Sequence, residues 1–174
     1  MFCRSIIAAA ALCASVSAQA ANPCLPQAEA EALVLSLAPG LVGTTAAVCA
    51  ASLPAGAYLR RSVAPLTAKF AAEGEAAWPL AKRGLDKLAG PDAAAMLESE
   101  LARPMVTAMV APMLTREIRT SDCPDIDRVL GLIAPLPAKN TAALLVTIVD
   151  LAGRNKASVA GRGAFSVCRP GARP

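Results

Sequence analysis

Three carboxylates, a cysteine and a proline lie within seven positions in the stretch SDCPDID, residues 121–127. Closely spaced carboxylates can bind calcium, but a calcium loop needs a pattern such as D-x-[DN]-x-[DN]-G. Counted from Asp125, the required positions hold Val129 and Leu130, which offer no side-chain ligand. We therefore expect this stretch to start a helix, with Asp122 as its N-cap and the next two aspartates near the positive end of the helix dipole.

Three methionines, Met105, Met109 and Met113, form a second arrangement with possible chemistry, because copper-handling proteins use soft thioether ligands. Residues eight apart lie about 12 Å apart along a helix, so a single ion could hardly be coordinated by all three side chains. Methionine also fills irregular cores, and Val106 and Val110 lie beside the stripe. We therefore expect the three methionines to pack in the core and to bind no metal.

Sets of catalytic residues are hard to assemble from this sequence. The chain has no histidine, the commonest general base, and no S-x-x-K or G-x-S-x-G motif. Carboxylate pairs for glycoside chemistry remain: Glu73 with Glu75, Glu98 with Glu100, and Glu75 with Asp86. Glu98 and Glu100 would point about 200° apart around a helix, so they could not act together there. We expect no enzyme, no catalytic residue and no cofactor.

The first twenty residues have the pattern of a secretory signal peptide. Arg4 precedes an apolar run from about Ile6 to Val16, and small residues at Ala18 and Ala20 form a cleavage site. Removal of this segment would also remove two of the six cysteines. The chain is therefore expected to consist of a signal peptide at 1–20, one disulfide-stapled helical domain at 21–168 and a disordered tail at 169–174.

The four remaining cysteines, Cys24, Cys49, Cys123 and Cys168, predict two disulfides. An even number of cysteines in an exported protein is typical of disulfide bonds, whereas zinc sites need close-set pairs and usually histidine. Three pairings are open. We favour Cys24 with Cys49 and Cys123 with Cys168, because each bridge would then close its own helical hairpin.

The charge of the chain is too mild to indicate nucleic-acid binding. The formal charge of +4 falls to +3 when Arg4 is removed, and aromatic residues make up 3% of the chain. One basic cluster is typical of a solvated helix face: Lys82, Arg83 and Lys87. A second could hold an anion, although it matches no glycine-rich phosphate motif: Arg154, Lys156 and Arg162.

No charged residue occurs from Ala32 to Leu59, a length that would suit a membrane span. Pro39-Gly40 and Pro54 interrupt this segment, so we expect a buried helical hairpin and no transmembrane segment after signal cleavage. Its first helix should end at Pro39-Gly40 and its second should run from about Thr44 to Ala51.

Alanine dominates the chain and β-branched runs are scarce, a balance that favours helices. The periodicity predicts an all-α, single-domain bundle of about six to seven short helices, built from antiparallel helical hairpins. Pro65 should kink or split one helix, and Gly90-Pro91 should end another. A last helix from about Asn140 should bury Leu144, Leu145, Ile148 and Leu151. The C-terminal tail should be irregular or a small β-hairpin around Gly161 to Gly163, pinned by Cys168.

The expected function is that of a periplasmic or secreted, non-enzymatic helical protein that acts as a protein-interaction or envelope-associated module. The evidence for it is the signal peptide, the paired cysteines and the lack of catalytic sets. An alternative is a protein that binds a hydrophobic ligand or a membrane surface, since an alanine-lined bundle could leave an apolar cleft. A hydrolase that uses carboxylates ranks third.

Overall fold

The computed structural model describes residues 24–156 and 166–168. Six α-helices carry the fold of this part of the chain, and a short 3-10 helix, Thr120–Asp122, precedes the fifth. The helices are α1 Gln27–Cys49, α2 Tyr58–Ala89, α3 Pro91–Leu97, α4 Ala102–Thr115, α5 Cys123–Ile133 and α6 Ala138–Lys156. Two short strands, β1 Cys24–Leu25 and β2 Ser166–Val167, pair in parallel. The all-α prediction is confirmed.

The central element is α1, a single helix that continues through Pro39. The prediction that it ends at Pro39-Gly40 is wrong. Pro39 has no N–H to donate to the Leu35 carbonyl, but α2 packs against this point, and a Cβ on Gly74 would lie 2.6 Å from that carbonyl oxygen. The Ser36 hydroxyl also donates to the Gly74 carbonyl at 3.2 Å. Tertiary packing around Leu35 therefore supports the helix where proline weakens it.

The second helix is also longer than expected, because α2 runs for 32 residues with Pro65 and Pro79 inside it. Pro65 was expected to kink or split this helix, and the helix is not split there. The two carbonyls that the prolines leave without a helical donor belong to Arg61 and Glu75, which are exposed residues. Water can therefore serve these carbonyls at little cost. The helix ends at Gly90, whose φ of 75° is the positive value that glycine adopts readily, as expected for this position.

The four cysteines form two disulfides, as predicted, but the favoured pairing is wrong. The bridges join Cys24 to Cys168 and Cys49 to Cys123, with Cα–Cα distances of 4.9 and 5.5 Å. Because α1 does not turn back, Cys24 and Cys49 lie at opposite ends of a helix about 35 Å long. The alternative pairing instead ties elements that are far apart in sequence.

The C-terminal strand pairs with the N-terminal one. Cys24 lies opposite Ser166 and Leu25 opposite Val167, and the Cys168 amide donates to the Leu25 carbonyl at 2.8 Å. The tail is pinned by Cys168, as predicted. The proposed turn at Gly161 to Gly163 lies outside the described residues, and so does Arg162.

Three clusters of buried apolar residues form the core around α1. The largest surrounds the Cys49–Cys123 bridge and includes Leu59, Leu66 and Phe70 from α2. A second lies under the paired strands: Leu25, Ala30, Ala32, Leu33, Ala81 and Val146. A third holds α3 and α4 against α1: Leu37, Leu97 and Val106.

The last two helices do not form the predicted hairpin, because α5 packs on α2 while α6 packs on α1. Small residues of α6 face α1, among them Ala138, Thr141 and Ala142, and they are buried together with Val146. Small side chains allow the two helices to approach closely. The prediction that α6 buries its larger apolar residues is wrong for Leu144, Ile148 and Leu151, which are exposed.

Among the described residues, α1 alone has the length and apolar character of a membrane span, with a mean hydropathy of 1.8 over its most apolar window. The buried hairpin expected for residues 32–59 is absent, because residues 32–49 belong to α1 and a loop leads from it to α2. In this structure α2, α4 and α6 pack against α1.

Candidate functional site

Of the three aspartates of SDCPDID, Asp127 caps a helix other than its own. The Asp127 carboxylate accepts hydrogen bonds from the backbone amides of Tyr58 and Leu59, at 3.2 and 2.5 Å, at the start of α2. Asp122 stands at the N-cap position of α5 without a capping bond there, and its carboxylate accepts the Arg119 amide and the Ser121 hydroxyl instead. Within residues 24–156 and 166–168, no three His, Cys, Asp or Glu side chains are grouped for a metal ion.

The candidate carboxylates are tied to separate basic residues. Lys139 contacts Glu73 at 3.2 Å, and Lys82 contacts Glu98 at 2.9 Å. Arg103 of α4 forms an ion pair with Glu75. Each of these three carboxylates therefore has a cation of its own, and the arrangement has the form of surface ion pairs that connect helices.

A buried carboxylate that the sequence did not reveal lies in the first turn of α1. Glu29 is 6% exposed, and its Oε1 accepts a hydrogen bond from Lys87 of α2 at 2.6 Å. Its Oε2 is buried and has no hydrogen-bond partner within the described part of the chain. Two members of the basic cluster, Lys82 and Lys87, are thus engaged in ion pairs rather than simply solvated. The side chains of Arg154 and Lys156, candidates for an anion site, are outside what the structure describes.

Lys69 links α2 to the end of α5. Its Nζ donates to the Ala134 carbonyl at 2.9 Å and lies 5.3 Å from the centre of the Phe70 ring. Desolvation lowers the pKa of Lys69 from its ordinary value. Because the folded pKa lies below the unfolded one, protonation of Lys69 disfavours folding at neutral pH, and this contribution disappears as the pH rises above about 10.4.

The methionines lie on the surface, so the prediction that they pack in the core is wrong. Met105, Met109 and Met113 are 44%, 60% and 60% exposed. The helix α4 contacts the core through other residues instead, namely Ala102, Val106, Ala111 and Thr115. Leu101 and Leu114 are exposed beside the methionines, and we call these five residues the methionine face.

An open groove of about 490 Å³ lies between α1 and α4. Its lining residues are Ser36, Pro39, Gly40, Thr44, Arg103, Pro104, Thr107, Ala108, Ala111 and Pro112. The helices cross closely at Gly40, where an added Cβ would lie 2.2 Å from the Thr107 methyl group.

Three of the four polar side chains that line the groove have partners within the protein. Ser36 donates to the Gly74 carbonyl, Thr44 donates to the Gly40 carbonyl at 2.9 Å, and Arg103 is paired with Glu75. The rest of the lining consists of the Thr107 side chain, proline rings, alanine methyl groups and glycine backbone. Such a groove favours an apolar occupant, because little hydrogen-bonding capacity is left to recognise a polar one.

The groove and the methionine face share one edge of α4. Pro104, Ala108 and Pro112 line the groove at four-residue spacing, and each methionine follows one of them directly in sequence. Successive residues on a helix lie about 100° apart, so the two surfaces adjoin along the helix. We call the groove and the methionine face together the α4 surface.

Further exposed apolar residues lie on α5 and α6: Val129, Leu132, Leu144, Ile148, Val149 and Leu151. None of them lines the groove between α1 and α4. Comparison with protein-family models, with curated proteins and with solved structures gives no match for this chain.

Proposed function

We propose that this protein is an exported, non-catalytic helical domain that binds an apolar segment of a partner protein through the α4 surface. The observation that carries the proposal is the row of exposed methionines beside an apolar groove. Long flexible thioether side chains adapt to different partners, and methionine is common at surfaces that bind apolar helices. The other elements hold α4 in place and complete one wall of the groove.

Export is supported by the four paired cysteines together with the signal pattern of residues 1–20. Disulfides persist in oxidising compartments such as the periplasm or the exterior of the cell. We therefore place the domain in the periplasm or outside the cell, where its partner would be a protein of the cell envelope.

Site-specific crosslinking tests the proposal. A photoreactive amino acid at position 108, on the shared edge of the groove and the methionine face, should crosslink a defined protein in envelopes of the producing cell. The same label at position 132, which is exposed on α5, should not give this product. A second change, Met109→Glu, should abolish the crosslink at 108 while leaving the fold intact. The proposal fails if no product forms at 108, or if both positions give the same one.

A small apolar molecule in the groove is the second candidate, because a volume of about 490 Å³ lies within the range of ligand sites. Native mass spectrometry of gently purified protein should then show a retained ligand. An Ala108→Trp variant, which fills the groove from an exposed position, should lose it. Protein that carries no ligand would contradict this candidate. A lack of binding to phospholipid vesicles would contradict the related alternative, binding to a membrane surface.

A further inference from the structure

We propose that the partner of the methionine face is a second copy of this chain, bound with the two α4 helices antiparallel. This inference rests on the proposed function and names the occupant of its surface. It follows from the distribution of charge at the two ends of α4, which makes the face complementary to itself.

The middle of the face carries no charge. From Leu101 to Leu114 the single charged residue is Arg103, which turns towards α2 and pairs with Glu75. The exposed apolar stripe Leu101, Met105, Met109 and Met113 is about 18 Å long, since it covers twelve residue steps of helix. A contact over such a stripe buries the apolar side chains of both copies.

The two ends carry opposite charge. Before α4 lie Glu98, which is paired with Lys82, and the exposed Glu100. After α4 lie Arg116 and Glu117, which pair with each other, and the exposed Arg119. Once these local pairs are set aside, Glu100 remains at the start of α4 and Arg119 at its end, where the nearby Asp122 carboxylate accepts the Arg119 amide and the Ser121 hydroxyl.

An antiparallel, twofold arrangement satisfies both ends at once. With Met109 on the twofold axis, Met105 faces Met113 of the partner subunit, and Glu100, nine residues before the axis, lies near the partner's Arg119, ten residues after it. The second end repeats these contacts, because a twofold interface uses the same patch on each copy. A parallel arrangement would place like charges together, which opposes association.

The contact is small for a protein interface, so we expect a dimer with a dissociation constant on the order of 10 µM. Sedimentation velocity of the mature, disulfide-bonded protein from about 1 to 300 µM should show a reversible shift from monomer to dimer. Met109→Glu places two carboxylates at the axis and should weaken association by about 30-fold or more. The matched control Leu132→Glu, at an exposed apolar residue of α5, should leave it unchanged.

Charge reversal tests the antiparallel arrangement. Glu100→Arg and Arg119→Glu each create two like-charge contacts per dimer, and each variant alone should associate about 10-fold more weakly at low salt. An equimolar mixture of the two variants should recover association, because both ends of the mixed dimer then carry opposite charges. Circular dichroism and intact mass establish that each variant is folded and oxidised.

A monomer at all concentrations, a dimer insensitive to Met109→Glu, or a mixture that associates no better than its components would overturn this inference. The experiments distinguish failure of the dimer inference from failure of the proposed function. A monomeric protein that still crosslinks another protein from position 108 keeps the proposed function and excludes self-association. A crosslink at 108 to a second copy of the chain supports both.

Discussion

At the scale of single residues, two carboxylates join elements that are distant in sequence. Asp127 reaches from α5 to the first amides of α2, and Glu29 of α1 binds Lys87 near the end of α2. Helix N-termini have amides without helical partners, so a carboxylate from elsewhere in the fold can satisfy them. These contacts fix the ends of the longest helix.

Removal of the Asp127 carboxylate should destabilise the protein. We expect Asp127→Ala to lower the free energy of unfolding by about 1–2 kcal/mol, because two amides at the start of α2 lose their acceptor. Asp125→Ala, at an exposed aspartate of the same helix, is the control and should change stability by less than about 0.5 kcal/mol. Urea denaturation followed by circular dichroism measures both. Equal losses in the two variants would contradict the capping role.

Loss of Lys87 should leave a buried carboxylate uncompensated. We expect Lys87→Met to cost about 1–3 kcal/mol of unfolding free energy, below the full cost of a broken buried pair because Lys87 is itself 44% exposed. Arg83→Met, at an exposed position of the same helix, should be near neutral. In thermal or urea unfolding, the double variant Glu29→Leu with Lys87→Met should be more stable than Lys87→Met alone. The reverse order would contradict the idea that an unpaired Glu29 carboxylate destabilises the fold.

At the scale of helices, the crossing of α1 and α2 explains how a proline can lie inside a core helix. Gly74 brings the α2 backbone against the turn of α1 that Pro39 weakens, and Ser36 adds a hydrogen bond at the same place. The absence of a side chain at Gly74 is what allows the two backbones to meet. The crossing and the continuity of α1 therefore depend on each other.

Two glycine substitutions separate packing from helix propensity. Gly74→Ala would place a Cβ 2.6 Å from the Leu35 carbonyl oxygen, so we expect a loss of about 1–3 kcal/mol in unfolding free energy. Gly43→Ala on α1 meets no atom within 4 Å and should stabilise the protein by about 0.5–1 kcal/mol through helix propensity. Opposite shifts in the urea midpoint are expected. A stabilised Gly74→Ala variant would contradict the close crossing.

Local signals in the sequence predicted the helical class and some helix boundaries. Gly90-Pro91 correctly marked the end of α2 and the start of α3, because glycine and proline act there through their own backbone geometry. The prediction that α1 ends at Pro39 was wrong because the effect of this proline depends on packing by Gly74, which lies 35 positions away in the chain. The prediction that the methionines pack in the core was wrong for another reason. A helical period shows which residues share a face, but not whether that face packs against another helix.

At the scale of the whole molecule, two bridges with different surroundings hold the fold. Both Cys49 and Cys123 are fully buried, within the largest core cluster. Cys24 and Cys168 are partly exposed, at the paired strands. The number of disulfides could be predicted from the four cysteines, whereas their pairing required the knowledge that α1 does not turn.

The exposed bridge should be reduced first. Attack on a disulfide needs access for the thiolate, so mild dithiothreitol under native conditions should open Cys24–Cys168 before Cys49–Cys123. Alkylation followed by peptide mass mapping should label Cys24 and Cys168 at early times. Further, the chain-entropy relation gives a loss of about 4–5 kcal/mol of stability for a loop of this length, so the unfolding midpoint should fall with labelling. Early labels at Cys49 and Cys123 would contradict the difference in access.

The bridge between Cys24 and Cys168 also determines how the domain transmits mechanical load. These residues lie 144 positions apart in sequence, yet their Cα atoms are 4.9 Å apart and covalently joined through sulfur. Tension applied between the segments that flank them would pass through that short bond and bypass every helix. A domain held by both flanking segments would therefore not unfold under tension. Only reduction of the Cys24–Cys168 disulfide would allow the chain between these cysteines to extend.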